Sequence, residues 1–229
     1  MTATSLTIPI PISFMLEPTD WTPHDVLPQL VEEASSDAEN VALMMKVKNG
    51  DEKAFARLVE IHQKAIVGTV TRMLGSVEDG HDVAQMVFIR VWKSAPRYEA
   101  TAKFTTWLYT IMRNLVFNEM RRRGRRKEIS LDEPTFNDQP REIAHPNSLG
   151  ADVLSQQDEL ESALDAAIES LPEKQRLAVL LRRQQETPYE ELCEILKMSL
   201  PAVKSLLFRA RTELRKKLAN YLGEDAPGA

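Results

Sequence analysis

Residues 51–74 read DEKAFARLVEIHQKAIVGTVTRML and predict a long helix in the first half of the chain. Seven apolar or half-polar residues recur in this stretch at spacings that are mostly three and four, so one face of the helix is buried. They are Phe55, Leu58, Val59, His62, Ile66, Val70 and Met73. Gly75 follows directly and ends the helix, since glycine readily adopts the left-handed conformation of a helix end.

Apolar residues recur at the same helical spacing in the neighbouring segments, which predicts three further helices around this one. The first opens at a capping box of Ser36 and Glu39 and runs to about Lys48. The others cover about Glu78–Ala95 and Phe104–Arg126. Glycine is scarce, with 8 among 229 residues, which also favours helix over strand. The sequence therefore predicts an all-α chain that begins with a compact four-helix bundle.

Helical periodicity resumes at Leu160 and predicts a second small domain. Three helices are expected at about 174–184, 188–197 and 201–222. A capping box of Thr187 and Glu190 opens the middle one, and a short turn separates the last two, as in a helix-turn-helix.

The segments outside these two domains lack a sustained apolar period. Repeated prolines in TIPIPISFMLEPTDWTPHD predict a disordered N-terminal extension. The expected organisation is an extension over 1–36, a first domain over 37–127, a flexible linker over 128–156, a second domain over 157–222 and a tail over 223–229.

Composition excludes several functional classes. Cys193 is the single cysteine, so no intramolecular disulfide forms, and we expect it to be a buried structural residue. The sequence shows neither a signal peptide nor a long apolar run, which predicts a cytoplasmic protein without membrane insertion. The histidines lack metal-ligand spacing, and no catalytic set or phosphate-binding glycine loop is present. We therefore expect no enzymatic activity, no metal and no cofactor.

The segment 103–127 combines aromatic residues with a strongly basic end, although the net charge of the chain is −5. Cations attract phosphates, and aromatic rings stack on unpaired bases for about 1–3 kcal/mol each. The helical spacing of the apolar residues favours a place in the core for most of Trp107, Leu108, Ile111, Leu115 and Phe117. The arginines from 121 to 126 predict a polyanionic partner, because so dense a run would repel itself on an isolated helix.

Two groups of motifs resemble the extracytoplasmic-function subfamily of the sigma-70 factors. DVAQMVFIRVW at 82–92 and FTTWLYTIMRN at 104–114 resemble its region 2. LPEKQR at 171–176, YEEL at 189–192 and FRAR at 208–211 resemble its region 4. The resemblance implies a sigma factor that binds core RNA polymerase through its β and β′ subunits, recognises promoter DNA at the nucleoid, and has an anti-sigma factor as a further partner.

The resemblance also implies residue roles. Core polymerase would be bound by Asp82, Gln85, Met86 and Arg90, where the family usually has an acid at position 86. The −10 element would be held by Tyr98, Lys103, Arg113, Asn114, Asn118, Arg121 and Arg122. The −35 element would be contacted by Arg182, Lys204, Ser205, Phe208, Arg209 and Arg211. Two such elements about 17 base pairs apart lie about 58 Å apart at roughly 3.4 Å per pair.

The recognition helix departs from the family pattern. Pro201-Ala202 replaces the common Gly-Thr, and Leu206 stands where arginine is frequent, which would remove one contact with DNA. Since Leu206 and Leu207 are adjacent, we expect one of them to be half-exposed. Two other functions stay open at this point, a stand-alone helix-turn-helix regulator and a sequestered adaptor protein.

Overall fold

A computed structural model of the chain describes residues 26–132 and 156–222, and all regular structure in these ranges is helical. The helices are α1 (Val26–Lys48), α2 (Glu52–Leu74), α3 (Val77–Ser94), α4 (Phe104–Asp132), α5 (Gln156–Glu169), α6 (Glu173–Gln184), α7 (Tyr189–Leu196), α8 (Leu200–Lys217) and α9 (Ala219–Leu222), with a 3₁₀ turn at Ala95–Arg97. The prediction of an all-α chain is confirmed. Across both ranges, every helix is too short or too polar to span a bilayer.

α1 begins at Val26, ten residues before the predicted capping box of Ser36 and Glu39, and that prediction is wrong. Leu27 and Val31 continue the helical apolar period, and Pro28 lies in the first turn, where its missing N–H is tolerated. Residues 26–36, predicted as part of a disordered extension, are therefore helical. Residues 1–25 lie outside the described part of the chain.

α2 is the central helix of the N-terminal bundle, and its ends match the sequence prediction. The Asp51 side chain accepts hydrogen bonds from the backbone N–H groups of Lys53 and Ala54, at 2.9 and 3.0 Å. Gly75 ends the helix in the left-handed conformation, at φ 66°. Buried apolar residues from all four helices meet here, among them Met44, Val47, Leu58, Ile66, Val70, Val87, Val91, Leu108, Met112 and Val116.

α3 packs very closely on α2 at Gly80. A Cβ atom at Gly80 would lie 2.9 Å from the Thr71 Cα atom and would also collide with the Thr71 hydroxyl. Glycine at position 80 is therefore required by helix packing, because any side chain here would push the two backbones apart.

α4 is longer than predicted. It begins where the Phe104 backbone N–H donates to the Asp37 carboxylate of α1 at 2.9 Å, and it ends at Asp132. Residues 128–132, predicted as linker, are helical. The linker residues 133–155 and the tail residues 223–229 lie outside the described ranges.

The C-terminal domain packs α5 to α9 around a second group of buried residues, which includes Ile168, Leu177, Leu180, Leu181, Ile195, Val203, Leu207 and Leu214. Lys197 ends α7 in the left-handed conformation, at φ 53°, and the turn to α8 follows. The predicted capping box is wrong, because α7 begins after Pro188 without a side-chain cap and Thr187 is buried.

The two domains are in direct contact, which the sequence did not predict. α7 lies along α4, while α5 and α6 contact the C-terminal half of α2. Arg176 of α6 donates to the Met73 carbonyl at 2.8 Å, and Arg72 lies 3.6 Å from the Asp165 carboxylate of α5. The buried side chains of both domains form one continuous cluster.

Gly80→Ala should lower the free energy of unfolding by about 1–3 kcal/mol. The free-energy cost of overpacking between α2 and α3 is larger than the free energy gained from the higher helix propensity of alanine. Gly124→Ala on α4 is the matched control, because a Cβ atom there meets nothing within 4 Å. This control should gain about 0.5–1 kcal/mol. Urea unfolding of both variants measures the difference, and equal stabilisation by both substitutions would contradict the close packing at Gly80.

His62 should make the chain sensitive to mild acid. The ring is buried beside Phe104, its Nε2 atom lies 2.9 Å from the Asn40 Oδ1 atom, and burial lowers the pKa of His62 from 6.5 to about 4. The unfolded chain therefore takes up a proton on His62 below pH 6.5 that the folded chain excludes. Stability is fully present above pH 6.5, falls as the pH decreases, and has lost about 3 kcal/mol at pH 4.

Denaturant unfolding between pH 5 and 7.5 measures this slope above the range in which carboxylates titrate. His62→Gln should flatten it, whereas His81→Gln, at an exposed position of α3, should leave it unchanged. A slope that survives His62→Gln would contradict the assignment.

Candidate nucleic-acid and partner interfaces

α3 presents the residues predicted to bind polymerase on one exposed face. Asp82, Gln85, Met86 and Arg90 are all exposed, and Met86 has half of its surface accessible. Val87 and Val91 point the opposite way, into the bundle, and fix the rotation of the helix. The structure thus brings these four residues together on one side of the helix.

A groove with a volume of about 710 Å³ runs between α2 and α3 beside this face. Its wall is mainly apolar and includes Phe55, Val59, Val67, Phe88, Ile89 and Trp92. The rings of Phe55 and Trp92 lie 5.0 Å apart at one end. The apolar spacing of α2 predicts that Phe55 and Val59 are core residues. In the structure both are only half-buried. The apolar stripe on α2 is wider than one packed face of a helix needs, and this width is the sequence feature that indicates the groove.

Tyr98, predicted to contact the −10 element, is a core residue in this structure. Only 1% of its surface is exposed, because its ring packs against those of Trp107 and Phe104 at 5.0 and 6.3 Å. Its carbonyl accepts a hydrogen bond from the Lys48 ammonium group at 2.9 Å. Tyr98 therefore braces the loop before α4 from inside, and a role in base stacking would require the ring to be exposed.

The start of α4 is covered by α7 of the C-terminal domain. The Lys103 ammonium group lies 2.8 Å from the Glu191 carboxylate, which also accepts a hydrogen bond from the Thr106 hydroxyl at 2.9 Å. One helical turn further on, the Tyr109 hydroxyl donates to the Gln185 side-chain oxygen at 2.9 Å. Burial, with a smaller contribution from the Glu191 charge, raises the pKa of Tyr109, so the hydroxyl stays protonated and can donate.

Arg113, another predicted DNA contact, lies in the same covered region. It is 7% exposed and donates to the Ile195 carbonyl in α7. Burial lowers the pKa of this guanidinium. Arg113 also donates to the Asn114 Oδ1 atom at 2.6 Å, so the carboxamide of Asn114 is oriented while its side chain stays exposed.

The second half of α4 is exposed and basic, and part of its charge is compensated within the helix. Arg122 pairs with both carboxylate oxygens of Glu119 at 2.7 and 2.8 Å, and this hydrogen bonding lowers the pKa of Glu119. Arg121 donates to the Asn118 Oδ1 atom at 2.7 Å. These pairs reduce the self-repulsion that the sequence suggested. The predicted contacts Asn118, Arg121 and Arg122 therefore form one accessible row.

Arg123 has a structural role that sequence reasoning missed. Its guanidinium contacts the Asp79 carboxylate of α3 at 2.6 Å and the Leu74 carbonyl of α2 at 3.0 Å. It thereby ties α4 to both neighbouring helices, and this arginine of the basic run faces inward rather than toward a ligand.

α8 exposes one row of polar residues with an aromatic ring among them. Lys204, Ser205, Phe208 and Arg209 are exposed, and Phe208 has 71% of its surface accessible. Leu206 and Leu207 are both buried, so the expectation that one of them is half-exposed is wrong. The reason is that the buried face of α8 is wide enough to take both, since α5, α6 and α7 all contact it.

Arg182 and Arg211 both lie close to Tyr189. The Arg182 guanidinium lies 5.3 Å from the centre of that ring and donates to the carbonyls of Glu186 and Thr187, each at 3.2 Å. The Arg211 guanidinium lies 3.5 Å from the Tyr189 hydroxyl. Both predicted DNA contacts thus also brace the turn before α7.

Within residues 26–132 and 156–222, no group of three or more His, Cys, Asp or Glu side chains is arranged to hold a metal ion. Cys193 is half-buried and packs against the core, which agrees with a structural role although it is less buried than expected.

Comparison with known proteins gives two family matches in chain order. Residues 58–126 match sigma-70 region 2, and residues 161–214 match sigma-70 region 4. These segments coincide with the bundle of α2 to α4 and with the domain of α5 to α8.

Several curated proteins are similar over most of their length. The ECF RNA polymerase sigma-E factor of Escherichia coli is 34% identical, with 77% of this chain and 92% of that protein covered. The ECF RNA polymerase sigma factor SigW of Bacillus subtilis is 32% identical over 76% of this chain and 93% of that protein. The RNA polymerase sigma-H factor of Pseudomonas aeruginosa is 30% identical, with 80% and 95% covered.

Two solved structures share the fold. The sigma factor RpoE from Bartonella quintana, in complex with the anti-sigma factor NepR, aligns with a TM-score of 0.57 at 24% identity, over 73% of this chain and 98% of that one. CnrH, in complex with the cytosolic domain of CnrY, aligns with a TM-score of 0.56 at 20% identity, over 81% and 99%.

Proposed function

Since the chain belongs to the extracytoplasmic-function subfamily of the sigma-70 factors, we propose that α3, α4 and α8 divide the work of transcription initiation among them. The chain is a sigma factor that directs promoter-specific transcription. One observation supports these separate roles. α3, α4 and α8 each expose a surface of their own, while the opposite side of each helix is buried in a core. As an initiation factor the chain would position polymerase and contribute no catalytic step.

α3 is the proposed contact with core polymerase. Support comes from the exposed face of Asp82, Gln85, Met86 and Arg90 and from the apolar α2–α3 groove beside it. A polar row next to an apolar groove is the composition of a protein interface, in which apolar contacts supply affinity and polar contacts supply register. Met86, in place of the acid usual in the family, would shift this contact toward apolar packing.

α4 is the proposed surface for the −10 element. The exposed carboxamide of Asn114 offers both a donor and an acceptor to a base edge. Asn118, Arg121 and Arg122 lie further along the same helix, where they can follow the phosphates of one strand. Lys103 and Arg113 would join them once α7 is displaced.

α8 is the proposed −35 reader. Lys204, Ser205, Phe208 and Arg209 lie in its first half, the part of a recognition helix that approaches base edges. An exposed aromatic ring suits contact with a thymine methyl group. Leu206 is a core residue, so the arginine frequent in the family at this position is replaced by a packing contact.

The partners follow from the family. We propose binding to the β and β′ subunits of core polymerase and to promoter DNA in the cytoplasm. RpoE and CnrH were each solved with a second protein, an anti-sigma factor in the case of RpoE. This supports an anti-sigma factor as a partner of the present chain as well.

Run-off transcription with purified core polymerase and fragments of the source genome tests the function directly. The chain should produce discrete starts that core polymerase alone does not produce. A chain that yields no start on any fragment, yet shifts a specific duplex unaided, would contradict the sigma function and favour a stand-alone regulator.

Single substitutions separate the two surfaces of the N-terminal domain. Gln85→Ala should weaken core binding about 5–30-fold without changing which promoters are used. Asn114→Ala should leave core binding intact and cost about 1–3 kcal/mol of discrimination at one −10 position. Core affinity is measured by fluorescence titration, and promoter choice by run-off on a −10 library. Equal loss of both activities in either variant, at unchanged melting temperature, would contradict the assignment.

Phe208→Ala should change −35 preference without a cost in stability. Because 71% of the ring is exposed, the free energy of unfolding should stay within about 0.5 kcal/mol of the wild type. Leu206→Ala is the contrasting variant on the same helix, and it should destabilise the domain by about 2–5 kcal/mol. Promoter libraries randomised at the −35 element give the readout, and unchanged preference in Phe208→Ala would exclude the ring from base contact.

A further inference from the structure

Four charged side chains of alternating sign form a continuous series of contacts from α3 to the exposed row of α4. We call Asp79, Arg123, Glu119 and Arg122 the charge network. The Asp79 carboxylate lies 2.6 Å from the Arg123 guanidinium, whose Nε atom lies 3.2 Å from the Glu119 Oε1 atom. The two Glu119 oxygens accept hydrogen bonds from Arg122 at 2.7 and 2.8 Å. The charge network therefore connects α3 to a side chain that is predicted to contact DNA.

The inner end of the charge network is fixed at the turn between α2 and α3. Arg123 donates to the Leu74 carbonyl at 3.0 Å, one of the last carbonyls of α2, which have no partner within the helix. Asp79 lies in the first turn of α3, where its backbone N–H donates to the Ser76 hydroxyl. A cation at the end of one helix and an anion at the start of the next are both favourable for the helix dipoles. This end of the network is therefore well anchored.

The charge network lies where the buried apolar stripe of α4 comes to an end. Val116 is fully buried, whereas Met120, one turn later, is only half-buried. The arginines of the basic run 121–126 are exposed apart from Arg123, which is partly buried. Like charges at this density repel one another, so the end of α4 needs a contact that holds it to the bundle. Beyond Met120, the contacts of Arg123 with Asp79 and Leu74 provide one.

We propose that Asp79, Glu119 and Arg123 are positioning residues that hold Arg122 ready to bind a phosphate of the −10 strand. The proposal rests on the proposed function, because it takes the exposed row of α4 as the surface for the −10 element. Glu119 occupies two of the five N–H donors of Arg122, so three remain for a phosphate.

The benefit of the charge network is a smaller loss of conformational freedom when DNA binds. A free arginine side chain has many rotamers, and ordering one costs binding free energy. Arg122 is held at two points by Glu119, which is itself only 13% exposed and is held by Arg123. A network of several charges also keeps its geometry better than an isolated surface ion pair. Arg122 is therefore ordered before a phosphate arrives.

Asp79→Asn distinguishes positioning from simple electrostatics, because the two predict changes of opposite sign. Removing a negative charge near DNA strengthens binding if the charge acts only through its field. If Asp79 acts through Arg123 and Glu119 on Arg122, the same substitution should weaken promoter binding about three- to tenfold. It should also lower the slope of log affinity against log salt concentration by about one, since one phosphate contact is lost.

Both quantities are measured with holoenzyme assembled from core polymerase and the full chain. The probe is a fluorescein-labelled promoter fragment taken from the run-off experiment, titrated between about 50 and 200 mM salt. Glu78→Gln is the matched control, because it removes one negative charge from an exposed position in the same turn of α3, outside the charge network. This control should leave the salt slope unchanged. An Asp79→Asn variant that behaves like Glu78→Gln, or binds more tightly than the wild type, would overturn the proposal.

A double substitution tests whether Asp79 acts through Arg122. Arg122→Gln alone should weaken binding and lower the salt slope by about one. Adding Asp79→Asn to it should have no further effect, because the phosphate contact is already lost. Additive losses would overturn the proposal, and so would a loss of folded chain alone, which reduces the active fraction but leaves the salt slope unchanged.

Failure of the proposed function would look different. If Arg122→Gln left the salt slope unchanged, the exposed row of α4 would not be a phosphate-binding surface, and the −10 assignment would fail together with the proposal. If Arg122→Gln lowered the slope while Asp79→Asn did not, the positioning role alone would be overturned, and α4 would remain the −10 surface.

Discussion

The burial of one stripe of α4 in the N-terminal bundle is the constraint on which the functional surfaces depend. Phe104, Leu108, Met112 and Val116 follow one another at spacings of four and are all buried against the other helices. Their burial fixes the rotation of the helix, so residues two positions away from this stripe face away from the N-terminal bundle. Asn114 is exposed for this reason, and Asn118 follows it one turn later on the same side.

α7 covers the outer side of the first turns of α4, where Glu191 is paired to Lys103 and Thr106. An exposed ion pair contributes little, but this pair is partly buried and shares its carboxylate with a second donor, which makes the contact stronger and more specific in geometry.

The sequence was sufficient for the helices whose ends have local signals. α2 begins directly after Asp51 and ends at Gly75, as predicted. The exposed face of α3 follows from the spacing of Val83, Val87 and Val91 on its other side. The sequence was not sufficient where contacts between distant segments determine which residues are buried. Leu206 is buried because three other helices contact α8. Thr187 is buried as well and does not cap α7. The contact between Thr106 and Glu191 joins residues 85 positions apart, and no local pattern encodes it.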